Sequence, residues 1–156
     1  MVLEIKRATK DDVAMVAFLF NSYRMFYKQQ SNLEAAFDYL EQRISNDESV
    51  IFIAVLKNDA VGFVQLYPVF SSVSLSKAWL LNDIFVAEHA RNQGVAEALL
   101  QQAKQFGRET KASNILLQTA ADNYKAQSVY EKNGWIKLQD FFYEYPLKKE
   151  EINRSR

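Results

Sequence analysis

The chain has 156 residues, 49% of them apolar and 13% aromatic, which fills one core and leaves little room for a second domain. Its 19 basic and 19 acidic residues cancel, so there is no electrostatic case for a nucleic-acid binder or a membrane-surface protein. With no cysteine and a single histidine, His89, the chain has no disulfides, thiolate nucleophiles or thiolate metal sites, and it cannot build a histidine metal centre.

Reading from the N-terminus, MVLEIKRATKDD lacks the apolar run of a cleaved signal, and no later stretch reaches the roughly eighteen uncharged apolar residues that span a bilayer. The expectation is a cytoplasmic protein with one domain over residues 1–149 and a charged tail at 150–156. Residues 2–7 alternate as a half-buried strand does. Thr9 to Asp12 reads as a capping-box-like start. Val13, Val16, Ala17, Phe20, Tyr23 and Tyr27 follow at helical spacing. A second cap at Ser31, with Glu34 three residues on, predicts a helix through about Ile44 with Leu33, Phe37, Leu40 and Ile44 on its apolar face. Residues 50–56 (VIFIAVL) are a continuous apolar run. Asn58-Asp59 is a turn signal, and 60–67 (AVGFVQLY) is the return strand, with Pro68 expected to end it.

A serine-rich loop at 71–77 precedes a further strand, 78–86 (AWLLNDIFV), too apolar for an edge. The polar loop EHARNQG leads to a helix over about 94–110, with Ala96, Leu99, Leu100, Ala103 and Phe106 as its stripe. Residues 114–119 read as a strand and 123–133 as a short helix closed by Asn133-Gly134. Trp135 to Leu138 and Phe141 to Leu147 read as two last strands. The order β-α-α-β-β-β-α-β-α-β-β describes an α/β sheet covered on both faces.

Two segments carry chemistry. In the first, Leu81 to Glu97, a buried strand ends in a short loop that opens a helix through Arg91-Asn92-Gln93-Gly94-Val95-Ala96. A helix start presents unpaired N–H groups and about half a positive charge, which suits an anion. Gly94 and Ala96 leave the backbone approachable, and Arg91 can grip a phosphate in bidentate fashion. The plainer alternative is a helix start with a solvated arginine. Neither a P-loop nor a dinucleotide fingerprint is present. In the second segment, 123–135, Asn123 sits where a cap belongs, and Ala126 and Tyr130 share a helix face. The plainer alternative there is a capped helix with Tyr130 in the core.

Taken together, R-x-x-G-x-A after a strand and N-x-x-A-x-x-x-Y-x-x-x-G-W some thirty residues later resemble the GCN5-related N-acetyltransferase (GNAT) family. The resemblance runs over nearly the whole chain, from the opening strand and T-x-x-D helix to FFYEYPL. LYPVFSS and LLNDIFV are similar to a bacterial group of members.

The resemblance implies a mixed, mostly antiparallel sheet of six to seven strands, with about four helices on its two faces and a V-shaped splay between strands 4 and 5 (81–86 and 114–119). It implies acetyl-CoA as acetyl donor, no metal, and acetyl transfer to a primary amine of a small molecule or peptide by direct attack in a ternary complex. Ile84, Phe85 and Val86 would pair with the pantetheine. Arg91, Asn92, Gln93, Gly94, Val95, Ala96 and Glu97 would hold the pyrophosphate. Asn123, Ala126 and Tyr130 would flank the thioester, with Tyr130 as the acid that protonates the leaving thiolate and the amide of Phe85 or a neighbour as the oxyanion donor.

The base is open. Polyamine-acetylating relatives carry a glutamate where this chain has Asn82, which cannot take a proton. Asp83 replaces it as base or amine anchor only if a bulge turns the strand; otherwise it pairs with a cation or caps a loop. Tyr23, Tyr27 and Glu34 lie on segments that border the acceptor in relatives, and their spacing is also ordinary helix patterning. The resemblance also allows a homodimer. Competing readings are a non-catalytic acyl-CoA-binding module of the same fold and a folded interaction protein with no ligand.

Overall fold

The computed structural model describes residues 2–148, which form two compact units, one ending at Leu117 and one beginning at Gln118. The tail expected at 150–156 lies outside the described residues.

The first unit is built on a five-stranded sheet in the order β1-β2-β3-β4-β5. Its strands are β1 (Leu3–Arg7), β2 (Val50–Leu56), β3 (Asp59–Ser71), β4 (Ser76–Val86) and β5 (Ile115–Leu117). Neighbours are antiparallel except β4 and β5, which are parallel. Three helices pack on the sheet: α1 (Val13–Phe26), α2 (Leu33–Ser45) and α3 (Val95–Glu109).

Alternation along β2 assigns the helices to faces. Ile51 and Ile53 join a buried cluster with Val16, Phe20 and Tyr23 of α1 and Leu40 of α2. Phe52 points the other way, its ring 5.5 Å from that of Phe106 on α3. On α3, Leu99, Leu100, Ala103 and Phe106 are buried as expected, Val95 takes the place of the half-buried Ala96, and Gln101, Gln105, Arg108 and Glu109 are exposed. Removing a fully buried leucine such as Leu99 should cost about 2–5 kcal/mol, the range for leucine-to-alanine cavities. Trp79 closes the same side, with its Nε1 donating to Thr110 Oγ1 at 2.9 Å.

Local signals match where the chemistry is local. Asp12 accepts from the Thr9 N–H at 2.8 Å, and the Thr9 hydroxyl accepts from the Asp11 N–H at 3.3 Å. The α2 cap falls one residue later than expected. Asn32, not Ser31, accepts from the Ala35 N–H (3.0 Å), because Ser31 Oγ is occupied by Asn21 Nδ2. Leu33 then lies in the exposed first turn, and Ala36 takes its place in the core.

Pro68 does not end β3, which runs on to Ser71 with Pro68 opposite Trp79. Its partnership with β2 stops at Leu66, so beyond that point β3 has β4 alone as neighbour. A residue lacking an N–H is tolerated where one side of the strand carries no ladder.

The second unit contains α4 (Tyr124–Lys132), capped by Asn123 Oδ1 on the Ala126 N–H (3.2 Å) and closed by Gly134 at φ 90°. Among the described residues, the two last strands expected at 135–138 and 141–147 are not there, and the sheet has five strands rather than six to seven. A period-two apolar pattern marks a segment suited to a strand, but a strand exists only where its N–H and C=O groups join a ladder. Among the described residues, Trp135 to Leu147 join none.

Candidate functional site

The β3–β4 ladder contains an irregularity at the point where function was expected. Gln65 pairs with Asp83 and Leu66 pairs with Leu81, so Asn82 is an extra residue on β4 with no opposite number. This is a β-bulge, which turns the strand and re-aims its side chains. The bulge is the condition under which Asp83 could stand in for Asn82.

Asp83 is buried, and two amides hold its carboxylate. Gln65 Nε2 donates to Oδ2 at 2.7 Å, and Asn82 Nδ2 donates to Oδ1 at 3.0 Å. The Gln65 side chain is itself fully buried, and its Oε1 has no hydrogen-bond partner among the described residues. Nearby, the hydroxyls of Tyr39 and Tyr67 are 2.8 Å apart, and the Arg43 guanidinium lies 4.8 Å over the Tyr39 ring. Burial, and then the negative charge of Asp83, push the Tyr67 hydroxyl well above the ordinary phenol value. Tyr67 therefore stays protonated at neutral pH.

Gln65, Tyr67 and Tyr39 were not singled out in the sequence. A signal existed, since each of two adjacent apolar strands carries a lone buried polar side chain, Gln65 in β3 and Asp83 in β4.

Past the bulge, β4 parts from β5. Their parallel register covers Trp79↔Ile115, Leu80↔Leu116 and Leu81↔Leu117 and goes no further, while β4 continues through Ile84, Phe85 and Val86. This is the expected splay. On its other side β4 stays paired with β3 to Gly62↔Val86, and the Ala87 N–H donates to the Val61 carbonyl at 2.7 Å.

Gly62 is another residue that pattern reading overlooked. A Cβ there would sit 2.8 Å from the Phe85 carbonyl oxygen and 3.3 Å from Val95 Cγ1. Its bareness lets the end of β4 and the start of α3 close on β3 together.

A 3-10 turn, Glu88–Ala90, follows, with Ala90 buried as its anchor and His89 exposed. Arg91 folds back so that its Nε donates to the Val86 carbonyl at 3.0 Å and its guanidinium rests 5.6 Å from the Phe26 ring and 5.7 Å from the Phe85 ring. Asn92 (φ 63°) and Gly94 (φ 79°) take the left-handed conformation, which asparagine tolerates and glycine adopts freely.

Gly94 is the N-cap of α3 and offers no side-chain acceptor. The first main-chain bond of the helix runs from the Ala98 N–H to the Gly94 carbonyl at 3.1 Å, so the amides of Val95, Ala96 and Glu97 have no earlier carbonyl in the helix. A Cβ on Gly94 would meet nothing within 4 Å. An uncapped helix start with open space at its cap fits a diphosphate.

The first unit thus brings together Asn82, Asp83, Ile84, Phe85, Val86 and Arg91 to Glu97. Tyr23 is buried there with its ring 6.1 Å from that of Phe85, and Tyr27 packs edge-on to Tyr23 at 5.1 Å. Glu34 is exposed in the first turn of α2, where a carboxylate complements the helix dipole. Asn123, Ala126 and Tyr130 belong to the second unit. There the half-buried Tyr130 ring is 6.2 Å from that of Trp135, and the main-chain N–H of Trp135 donates to the Tyr130 carbonyl at 3.0 Å.

The fourth strand thus bulges, parts from a parallel neighbour and feeds a helix that starts at Gly94 with no side-chain cap. Comparisons with known proteins show the family. The acetyltransferase (GNAT) family model matches residues 16–135. The chain is 46% identical over 133 residues to the uncharacterised N-acetyltransferase YhfO of Bacillus subtilis, covering 85% of this chain and 89% of that one. It is 35% identical over 134 residues to a probable acetyltransferase of Haemophilus influenzae, with 85% and 90% covered. A crystal structure of a probable acetyltransferase superposes with a TM-score of 0.88 at 45% identity, covering 93% of this chain and 98% of the other. The chain belongs to the GNAT acetyltransferase family. Among the described residues, no helix is long and apolar enough to cross a membrane.

Proposed function

We propose that the protein transfers the acetyl group of acetyl-CoA to a primary amine of a small molecule or peptide. The observation that carries this reading is the course of β4: it leaves β5 after Leu81 and runs into an α3 start with no side-chain cap. The donor supplies an activated thioester carbonyl. The α3 amides and Arg91 bind its diphosphate, and the main chain of Ile84 to Val86 aligns its extended arm. Phe85 pairs with Phe63 across the β3–β4 ladder, so the donor to the carbonyl oxygen as that atom gains charge is a neighbouring amide that faces away from β3, that of Ile84 or Val86.

Asp83 attracts the acceptor's ammonium group and orients the amine, which must lose a proton before it attacks. Lysine-like amines have a pKa of about 10.4, so a carboxylate or a water beside it must take that proton. Tyr67, held protonated, serves as a hydrogen-bond donor to the acceptor and not as the base. As the nitrogen–carbonyl bond forms and the carbon–sulfur bond breaks, Tyr130 gives a proton to the leaving thiolate.

The test is the melting temperature with millimolar acetyl-CoA, followed by release of free thiol across a panel of amines. A ligand that binds the folded state alone at 100 times its Kd should stabilise it by about 2.7 kcal/mol. An unmoved melting point overturns the reading. Tight binding with no thiol released on any amine makes the chain an acyl-CoA-binding module instead.

A further inference from the structure

Val86 is the last residue of β4, and its own N–H and C=O point away from the β3 ladder. The Ala87 N–H bonds to the Val61 carbonyl, so Ala87 and Phe85 face β3, while the alternate residues Ile84 and Val86 face the side on which β5 has already ended, at Leu117 opposite Leu81. A side chain takes up the Val86 carbonyl: Arg91 Nε donates to it at 3.0 Å. An arginine has five N–H donors, and this bond uses one, leaving the four on its two terminal nitrogens.

Two aromatic rings fix the rest of the guanidinium. It lies 5.6 Å from the centre of the Phe26 ring and 5.7 Å from that of Phe85, both within cation–π range. The rings come from different elements, Phe26 from the end of α1 and Phe85 from β4. They stand 6.4 Å apart and inclined at 60°, so together they make a corner. Among the described residues, no carboxylate forms an ion pair with Arg91. Its positive charge is therefore held in place and not neutralised, a few residues before the Gly94 cap of α3. A fixed, uncompensated cation beside an open helix start suits a diphosphate.

We infer that Phe26 is a positioning residue for the donor: it holds the Arg91 guanidinium against Phe85 at the end of β4, where the terminal nitrogens meet the diphosphate. The inference rests on the acetyl-CoA reading above. Without the α1 ring, the guanidinium keeps its bond to Val86 but loses one wall of the corner. A long side chain with many rotamers must then be ordered as the donor arrives. Ordering it beforehand raises affinity without adding a contact to the ligand.

The experiment is calorimetry of coenzyme A with the full chain and with its Phe26→Leu, Phe26→Tyr, Arg91→Gln and Phe26→Leu/Arg91→Gln variants. Phe26→Leu should weaken binding about two- to fivefold, the scale of one exposed cation–π contact. Phe26→Tyr, which keeps the ring, should bind as the wild type does. The double variant should bind no more weakly than Arg91→Gln alone, because the ring acts only through the guanidinium. Unchanged binding in Phe26→Leu overturns the inference. So do losses that multiply in the double variant, or a loss that persists in Phe26→Tyr. Where Arg91→Gln binds too weakly to measure, acetyl-pantetheine, which has the thioester and arm without the diphosphate, replaces the double variant. Phe26→Leu should leave kcat/KM for that donor unchanged, and an equal fall with both donors overturns the inference. A wild type that does not bind coenzyme A sinks the acetyl-CoA reading, and this inference with it; each of the other failures leaves that reading standing.

Discussion

Gln65 and Asp83 face each other across the β3–β4 ladder, with the amide donating to the carboxylate at 2.7 Å, both of them buried. The bulge at Asn82 produces this pairing, and it ties the candidate acceptor carboxylate to a neighbouring strand. Gln65→Leu removes one donor from a buried carboxylate and also removes the partnerless Oε1, which offsets part of the cost. The expected loss is about 1–2 kcal/mol, near the low end for an unsatisfied buried group. Gln65→Glu sets a second carboxylate against the first and should destabilise more. Denaturant unfolding of the two variants checks the order. Asp83→Asn keeps the shape and loses the charge. It should lower kcat/KM for the amine at least about tenfold, the scale of a lost acid–base group, while acetyl-CoA affinity holds.

Gly62 sits where a methyl group would meet the Phe85 carbonyl at 2.8 Å. That neighbour is backbone and cannot swing aside, so Gly62→Ala must push β4 or α3 away. Overpacking of this kind costs about 1–3 kcal/mol. Because the displaced peptide adjoins the proposed oxyanion donor, turnover should fall further than the shift in melting temperature suggests. Both are measured on the same preparation, and a variant with wild-type kcat would detach the Phe85–Val86 peptide from the reaction.

What could be read from the chain alone follows the range of the interactions. The Thr9–Asp12 box, the Asn123 cap and the glycine at the start of α3 are local chemistry, and a window of a few residues contains all of it. The bulge is different. Nothing in Leu81-Asn82-Asp83 says that β4 rather than β3 gains a residue, because that depends on register, and register is set by which apolar side chains reach the core. Asp83 could therefore be named only conditionally, and Gln65, eighteen positions away, was passed over as a polar residue in an apolar strand. The last two strands do not form for a related reason: alternation at 135–147 describes a segment suited to a ladder, not whether a ladder forms.

Asp12 lies between the Lys6 ammonium and the Thr9 N–H. The hydrogen bond from Lys6, then that from the Thr9 backbone, hold its carboxyl below the ordinary value of 3.8. A depressed carboxyl contributes stability above its unfolded value and loses it as pH falls through its folded one. Asp12→Ala should therefore cost about 1 kcal/mol near neutral pH, as loss of a cap does. The gap to wild type should close below pH 3.8, and added salt should narrow it somewhat, because Lys6 is half exposed. Urea melts from neutral pH downward test this, and a gap that widened in acid would contradict it.

Tyr130 is half-buried on α4, beside Trp135. Removing its hydroxyl deletes a proton donor and little contact area. Tyr130→Phe should lower kcat at least about tenfold, as loss of a general acid does, with acetyl-CoA affinity by calorimetry within about twofold, a change of only some 0.4 kcal/mol. Unchanged turnover would take the phenol out of the mechanism.

Gly94 separates binding from folding most cleanly. Its φ of 79° is strained for any residue with a Cβ, yet a Cβ there touches nothing within 4 Å. Gly94→Ala should therefore cost the fold about 1–2 kcal/mol, the left-handed penalty alone. Gly94→Asp carries a similar backbone cost and adds a carboxylate that can cap the α3 amides itself, offsetting part of the strain. The two variants should thus have similar melting temperatures, with the aspartate equal or higher, and opposite consequences for an anion at the helix start. Alanine leaves the amides available and should raise the KM for acetyl-CoA a few-fold. Aspartate occupies them with its own negative charge and should abolish acetyl-CoA binding, with no compensating loss of stability. If aspartate binds the donor as well as alanine does, the diphosphate is held elsewhere, and the role given to this helix start is wrong.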